Sequence, residues 1–448
     1  MSEPISDSQA SALLEFRARN VRSFRGDVSL SLESTAMSEP EYVREIPWRK
    51  GGTRLSILAA AGVFGANASG KTNLLCALAD MRMHVVHSFK HGTPGGGMPR
   101  SPFLLDERSK AEPSRYEIDL VLKGVLHRYR FSLDDDQVVE ESASWYPNGR
   151  AVRLFERDLA EVTLGTTHRA KGRAAIGILR PNALFLSAAA QIDHPTLLPL
   201  YRWFAENLLM IDGQSHQPRT MFTAALLEDA VFRDPVIRLM RGADLGITAA
   251  RMVELDPVMQ ERVQRVARIL SGEEDTPVSG DSVEFESFGG MRFTHRGRDG
   301  EVELDESDES HGTLVWFALL GPLLRALADG SVLVVDELDS SLHPTLVQAL
   351  LELFQDPESN PRHAQIVFNS HDVTVLGDSS SQRLLGRDQI WFTEKSNDGS
   401  TRLYPLTDFD PRKQESVGKR FLEGHYGGKP ILSLGDFSVA AELVQADK

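Results

Sequence analysis

A glycine-rich loop carries the most specific chemical pattern in the chain. Gly65-Ala66-Asn67-Ala68-Ser69-Gly70-Lys71-Thr72 fits G-x-x-x-x-G-K-[ST] in full. Gly65 and Gly70 let backbone N–H groups wrap around phosphates, and a helix after the loop would direct its positive end at them. Lys71 adds a positive charge for the β- and γ-phosphates, and the Thr72 hydroxyl is a ligand suited to Mg²⁺. The loop, with Asn67 and Ser69 inside it, therefore predicts a binding site for ATP and Mg²⁺.

Two adjacent carboxylates follow an apolar run, Ser331-Val332-Leu333-Val334-Val335. Such a run is typical of a buried parallel strand, and ligands bind at the carboxyl-terminal edge of these sheets. Asp336 is suited to hold the Mg²⁺ hydration shell, and Glu337 to polarise an attacking water as general base. Adjacent acids at a solvated strand end are common, so the pair gains its meaning from the phosphate loop.

A histidine ends a third apolar segment, Gln365-Ile366-Val367-Phe368, within Asn369-Ser370-His371-Asp372. A histidine at this edge can contact a γ-phosphate. An isolated histidine at a strand end is more often a structural hydrogen-bonding group. Because this strand follows the acidic pair, we interpret His371 as a catalytic residue.

The elements around these residues predict an α/β fold with mixed and parallel sheets flanked by helices. Leu55 to Phe64 is an apolar strand that leads into the phosphate loop, and Asn73 to Leu78 favours a helix. Alternating residues predict hairpins over Leu14–Glu33, with a turn at Arg25-Gly26-Asp27, and over Tyr116–Ser132. The spacing of Met259, Val263, Val266 and Leu270 predicts a helical middle region.

Three regions follow from these patterns. Residues 1–155 form a β-rich lobe with the phosphate loop, and residues 156–300 form the helical middle region with an acidic linker over Ser271–Glu286. Residues 301–448 alternate helices with short apolar strands and form a second α/β lobe.

Composition limits the classes of function. The 448 residues carry a net charge of −15 and the sequence pI is about 5.4, so nucleic acid could bind only through a local contact. The single cysteine, Cys76, cannot form an intramolecular disulfide, which fits a reducing cytoplasm. The N-terminus has no signal-peptide pattern, and the apolar run Leu314–Leu324 is too short for a bilayer, so we expect no membrane association.

The order of these motifs resembles the ABC-type ATPase heads of the SMC, RecF and RecN group. Asp308-Glu309-Ser310-His311-Gly312-Thr313 resembles their signature motif, and Leu338-Asp339-Ser340-Ser341-Leu342-His343-Pro344 resembles their D-loop. The resemblance implies an ATP-dependent, head-to-tail homodimer. Ser310 and Gly312 of one subunit would then contact ATP held by the other.

Five further segments lie in a characteristic order along most of the chain: Asn20-Val21-Arg22-Ser23-Phe24, Pro102–Asp106, Phe185–Gln191, Arg387–Phe392 and Arg420–Gly427. Together with the motifs above, they resemble standalone bacterial ATPases of abortive infection and other anti-phage systems. This closer resemblance implies a role as a defence switch whose effector, a nuclease or a toxin, is a separate protein.

The resemblance leaves some positions open. No glutamine lies between Asn73 and Asp136, so Gln191, after the apolar segment Ala183–Leu186, is either the glutamine that senses nucleotide or an ordinary polar residue at a strand end. A DNA-repair ATPase of the RecF or SMC kind is the alternative function. Arg17, Arg19, Arg22 and Arg25 would supply its basic face, unless they are simply a solvated strand. A transporter ATPase fits less well, because the signature motif and the glutamine position differ from that type.

Overall fold

The structure is a computed structural model that describes residues 11–48, 54–211, 216–243, 246–254, 288–377, 383–412 and 415–428. Within these ranges the strands are β1 (Ser11–Val21), β2 (Phe24–Ser31), β3 (Val43–Pro47), β4 (Arg54–Leu58), β5 (Ala60–Gly65), β6 (Ser114–Leu122), β7 (Val125–Leu133), β8 (Val138–Trp145), β9 (Val152–Asp158), β10 (Glu161–Leu164), β11 (Leu208–Ile211), β12 (Ile247–Glu254), β13 (Phe288–Arg296), β14 (Glu301–Asp305), β15 (Val332–Val335), β16 (Gln365–Asn369), β17 (Ile390–Lys395) and β18 (Thr401–Pro405). The α-helices are α1 (Lys71–His87), α2 (Glu107–Ala111), α3 (Arg169–Ile178), α4 (Phe185–Ala190), α5 (Leu198–Arg202), α6 (Gln217–Leu226), α7 (Ala230–Gly242), α8 (His311–Asp329), α9 (Pro344–Gln355) and α10 (Val417–Glu423).

A six-stranded sheet positions the predicted site. Its order is β11-β15-β16-β5-β17-β18, and all neighbouring strands are parallel except the last pair. Buried residues cover both faces of its central strands, as expected for parallel strands between helices. Strands β5, β15 and β16 therefore end at the same edge, which brings the three predicted motifs together. The predicted α/β fold is confirmed.

A seven-stranded antiparallel sheet, in the order β10-β9-β8-β7-β6-β1-β2, packs with helix α1 around one hydrophobic core. Both predicted hairpins are confirmed, as β1–β2 and as β6–β7. The turn of the first hairpin differs from the prediction. Val21 pairs with Phe24, so the chain reverses at Arg22-Ser23, while Arg25-Gly26-Asp27 lies inside β2.

The apolar run before the phosphate loop is not one strand. It divides at Ala59 into β4, which pairs with β3 in a separate two-stranded sheet, and β5, which joins the parallel sheet. All residues from Ile57 to Phe64 except Gly62 are among the buried apolar residues. A run of apolar residues without alternation cannot indicate where a chain leaves one sheet and enters another.

The middle of the chain combines helices with strands. Helices α3 to α7 occur there, together with β11 and with a three-stranded sheet of β12, β13 and β14. The spacing of Met259, Val263, Val266 and Leu270 and the acidic segment Ser271–Glu286 lie outside the described residues. Within the described part of this region, helices and strands therefore occur together, where the sequence predicted mainly helices.

Helix α8 contains the apolar run Leu314–Leu324 and extends beyond it at both ends, to a length of 19 residues. By length and composition this helix could cross a bilayer, but 56% of its most apolar window is buried. Trp316, Phe317, Leu320 and Leu323 pack into the second hydrophobic core with residues of the six-stranded sheet. We therefore identify α8 as a core helix.

Candidate functional site

The glycine-rich loop connects the carboxyl end of β5 to the start of α1, as the pattern requires. Gly70 has φ +111°, a conformation that strongly favours glycine, and it directly precedes the helix. The Lys71 ammonium donates to the carbonyl oxygens of Gly65, at 2.8 Å, and Ala66, at 3.1 Å. Burial lowers the pKa of Lys71, and the carboxylates of the nearby acidic residues partly oppose that shift. The Lys71 side chain therefore lies across the phosphate loop and hydrogen-bonds to two of its carbonyl oxygens.

Oxygen ligands suited to Mg²⁺ meet where the ends of α1 and β15 approach. The Thr72 hydroxyl donates to Asp336 Oδ1 at 2.9 Å, and Asn369 Nδ2 donates to the same oxygen at 2.5 Å. Across the described residues, no group of three or more His, Cys, Asp or Glu side chains could hold a metal ion. Mg²⁺ usually binds few protein oxygens and completes its shell with phosphate oxygens and water, so this pair fits it.

Glu337 is held in an uncommon backbone conformation. Its φ is +54°, outside the range that non-glycine residues prefer, and such strain is often found at active sites. Its N–H donates to the buried Asn369 Oδ1, which fixes the peptide between the two acids. The Glu337 side chain is exposed at the edge of the sheet. It is therefore available to a water molecule outside the protein core.

His371 lies beside the phosphate loop, as predicted. Its Nδ1 is 3.5 Å from Lys71 Nζ, and its backbone N–H donates to the Asp339 carboxylate at 3.2 Å. Asp339 belongs to the predicted D-loop, so this contact joins the ends of β15 and β16. The His371 side chain is exposed and can turn toward a bound phosphate.

The predicted signature residues lie at the start of α8. Ser310 is the N-cap, and its Oγ accepts from the Thr313 N–H at 3.1 Å. A Cβ on Gly312 would come within 2.8 Å of the Ser341 carbonyl oxygen, so the signature motif and the D-loop of one chain are close neighbours. Among the described residues, no hydrogen bond links Ser310 to the phosphate loop.

Gln191 lies far from this site. The predicted strand Ala183–Leu186 is wrong: helix α4 begins at Phe185, and the buried Glu141 carboxylate accepts the N–H groups of Phe185 and Leu186. Gln191 ends that helix and hydrogen-bonds Tyr201, whose hydroxyl donates to the carbonyl of Val86. Val86 is fifteen residues beyond Lys71 on α1, or roughly 22 Å away.

Asn369 and Asp339 are the residues of the site whose roles the sequence patterns missed. Both stand inside motifs that we had identified, one directly before Ser370-His371 and the other two residues after Glu337. Asn369 is 1% exposed and touches both acids and Thr72. A buried amide at a strand end was the available signal, but burial is not visible in the sequence.

The fold and the site define the class of protein. A phosphate loop after a parallel strand, an acidic pair and a histidine on two neighbouring strands, and a signature-like helix beside an antiparallel sheet are the parts of an ABC-type ATPase head. The chain belongs to the family described as "AAA domain, putative AbiEii toxin, Type IV TA system", which matches residues 60–377. This match confirms the resemblance to abortive-infection ATPases.

Several solved structures of SMC heads are similar to the chain at low identity. A structure titled "Crystal structure of the SmcHead bound to the C-winged helix domain of ScpA" has 13% identity and a TM-score of 0.39, covering 91% of this chain and 99% of that one. The SMC head domain from Thermotoga maritima has 14% identity and a TM-score of 0.37, covering 88% and 98%. An Smc head with an extended coiled coil, bound to the C-terminal domain of ScpA derived from Pyrococcus furiosus, has 11% identity and a TM-score of 0.36, covering 92% and 98%. Among curated proteins the chain has no significant match.

Proposed function

We propose that this chain is a Mg-ATP-dependent ATPase whose two copies close head to tail around ATP and thereby act as a switch. The observation that carries the proposal is the convergence of Lys71, Asp336 and His371 at one sheet edge. Among the residues that the structure describes, the Ser310 hydroxyl makes no hydrogen bond to that edge. The sheet edge therefore has the phosphate-binding and Mg²⁺-binding residues of an ATP site but lacks a signature motif. A second subunit would supply that motif.

The chemistry assigned to each residue follows from its position. Lys71 leaves its two carbonyl partners to contact the β- and γ-phosphates. Thr72 and Asp336 would hold Mg²⁺, which would neutralise phosphate charge. The Glu337 carboxylate accepts a proton from water as the water oxygen attacks the γ-phosphorus. The bond from that phosphorus to the bridging oxygen breaks, giving ADP and inorganic phosphate. His371 orients the γ-phosphate.

The second subunit supplies the signature motif. Ser310 Oγ and the first N–H groups of α8, which begins at His311, would face the γ-phosphate of the partner. Gly312 leaves room for this approach, since it carries no side chain. Gly312 lies next to the carbonyl of Ser341, in the D-loop of the same chain. When the signature motif of one subunit closes on ATP held by its partner, it would therefore also displace the D-loop beside it, which belongs to the other ATP site.

A substitution of the proposed base tests this function. Glu337→Gln should retain ATP binding, lose nearly all turnover, and accumulate as an ATP-bound dimer in size-exclusion chromatography with light scattering. Lys71→Ala should lose both ATP binding and the dimer. Glu358→Gln, at an exposed position after α9, is the control and should behave as wild type. Unchanged hydrolysis by Glu337→Gln would rule out the assigned base.

We propose a defence role in the cytoplasm, with a nuclease or toxin as a separate effector, on the basis of the family and of the resemblance to anti-phage ATPases. The test is a plaque assay on cells that express the chain with its neighbouring genes. Protection should disappear with Lys71→Ala or Glu337→Gln. Protection that persists in the Lys71 variant would separate defence from ATP binding.

The DNA-repair alternative is not favoured, because the arginines of the proposed basic face are paired. Each one contacts at least one carboxylate, so the four guanidinium charges are largely compensated within the fold. The pairs are Arg17 with Glu15, Glu117 and Asp119; Arg19 with Asp27; Arg22 with Asp80; and Arg25 with Asp398.

A further inference from the structure

A C-terminal element that the proposed chemistry does not use packs against the phosphate loop. Strands β17 and β18 form an antiparallel hairpin at one edge of the six-stranded sheet, and Phe421–Gly428 packs against that hairpin. We call the hairpin and this segment the C-terminal clasp. All residues of this segment except Gly428 belong to the stretch Arg420–Gly427, which carried part of the resemblance to defence ATPases in the sequence.

Two threonines of the clasp contact Ser69, inside the phosphate loop. Thr393 Oγ1 is 2.6 Å from Ser69 Oγ. Thr401 Oγ1 is 2.9 Å from the Ser69 carbonyl oxygen and 2.8 Å from Ser23 Oγ, so its hydroxyl can donate to one and accept from the other. Thr393, Thr401 and Ser69 are all at least nine-tenths buried. These bonds are therefore shielded from water and hold Ser69 against the hairpin.

The glycines of the loop fit closely against the same threonines. A Cβ on Gly65 would come within 2.5 Å of the Thr393 carbonyl oxygen, and a Cβ on Gly70 would collide with the Thr401 side chain. The loop thus lies in direct contact with β17 and β18. Any shift of the hairpin would move the N–H groups that bind phosphate.

A glycine turn at the end of the clasp reaches the loop as well. Gly427 and Gly428 have φ +68° and +64°, and a Cβ on Gly428 would meet the Thr393 carbonyl oxygen at 3.2 Å and Gly65 Cα at 3.6 Å. Phe421 and Tyr426 stack on Phe392 of β17, with ring centroids 5.2 and 5.5 Å away. The turn is thus fixed to β17 on one side and touches the first residue of the loop on the other.

We propose that the C-terminal clasp holds the phosphate loop in its nucleotide-binding conformation, with Thr393 and Thr401 as positioning residues. The inference rests on the proposed function in that the loop must bind ATP. A clasp of this kind would make ATP affinity depend on the packing of the C-terminal segment.

The first test removes one hydroxyl at a time and measures Mg-ATP affinity by calorimetry. Thr393→Val and Thr401→Val should each weaken ATP binding roughly threefold to tenfold, as expected for the loss of the hydrogen bond to Ser69 of the loop, with kcat at saturating ATP within about twofold. Thr393→Ser should restore affinity. Thr223→Val is the control, because it removes a buried hydroxyl that links α6 to α8 away from the loop.

A glycine pair provides the second test if the threonine variants fold poorly. Gly428→Ala and Gly124→Ala place a side chain at similar positive φ angles, but Gly124 lies in the turn between β6 and β7, outside the clasp. Only Gly428→Ala should weaken ATP binding, by more than threefold relative to Gly124→Ala. Equal affinities within both pairs of variant and control would overturn the proposal. If the wild-type chain binds no ATP, the proposed function fails instead, so the two failures are distinguishable.

Discussion

Asn369→Ala tests whether one buried amide positions both acids of the site. Asn369 donates to Asp336 and accepts from the Glu337 N–H, so its removal frees the two acids at once. A neutral hydrogen bond contributes about 1 kcal/mol and one to a charged group about 1.5–3 kcal/mol, so the loss is roughly 2.5–4 kcal/mol at most. Each 1.4 kcal/mol that reaches the transition state lowers the rate tenfold, and we expect kcat to fall about tenfold to a hundredfold.

The control for this variant is Asn360→Ala, which is buried to the same degree. Asn360 donates to the carbonyls of Phe354 and Ala364 and accepts from the Ala364 N–H, away from the site. Both variants should lower the melting temperature, but only Asn369→Ala should lower kcat in a steady-state phosphate-release assay. A kcat within twofold of wild type for Asn369→Ala would refute the argument that this amide positions the two acids.

Three further predictions follow from the structure. Gln191→Ala should leave kcat and KM for ATP unchanged, because Gln191 packs near the end of α1 that is distant from the phosphate loop. A tenfold loss of kcat would contradict its placement. The purified protein should show no salt-dependent binding to duplex DNA, since the arginines of the proposed basic face are paired with carboxylates. A steep loss of binding with added salt would revive the DNA-repair alternative. Burial lowers the pKa of His84 from 6.5 to about 4, so the folded state disfavours the charged imidazole. Above pH 6.5 the imidazole is neutral in both the folded and the unfolded chain. As pH falls toward 4, protonation favours the unfolded chain, and the free energy of unfolding decreases by roughly 2 kcal/mol between pH 6.5 and 5. The melting temperature should therefore fall less over this range in His84→Phe than in wild type, and equal slopes would contradict the burial argument.

The sequence predicted the parts of the site that depend on short-range patterns. The phosphate loop needs only a strand, a fixed glycine spacing and a helix, and all three are local. Asp336 and His371 also follow from local patterns, since each ends an apolar strand and parallel strands share a carboxyl-terminal edge. The structure accordingly brings Lys71, Thr72, Asp336 and His371 together.

The features that the sequence could not predict depend on distant contacts. Helix α4 replaces a predicted strand because Glu141, more than forty residues earlier, accepts its first N–H groups. The same limit hid the buried role of Asn369. Thr393 and Thr401 lie more than 300 residues from Ser69 in the chain, and no local pattern connects them to the phosphate loop.

The central claim is that two chains build one ATP site, and a mixing experiment tests it most directly. Lys71→Ala and Ser310→Ala are each expected to be nearly inactive alone. Mixed in equal amounts, they should form heterodimers in which one site joins an intact Lys71 to an intact Ser310 from the other subunit. ATPase activity of the mixture should then rise well above that of either variant alone, because each mixed dimer has one intact site. No recovery on mixing, in dimers verified to be mixed, would contradict a site shared between subunits.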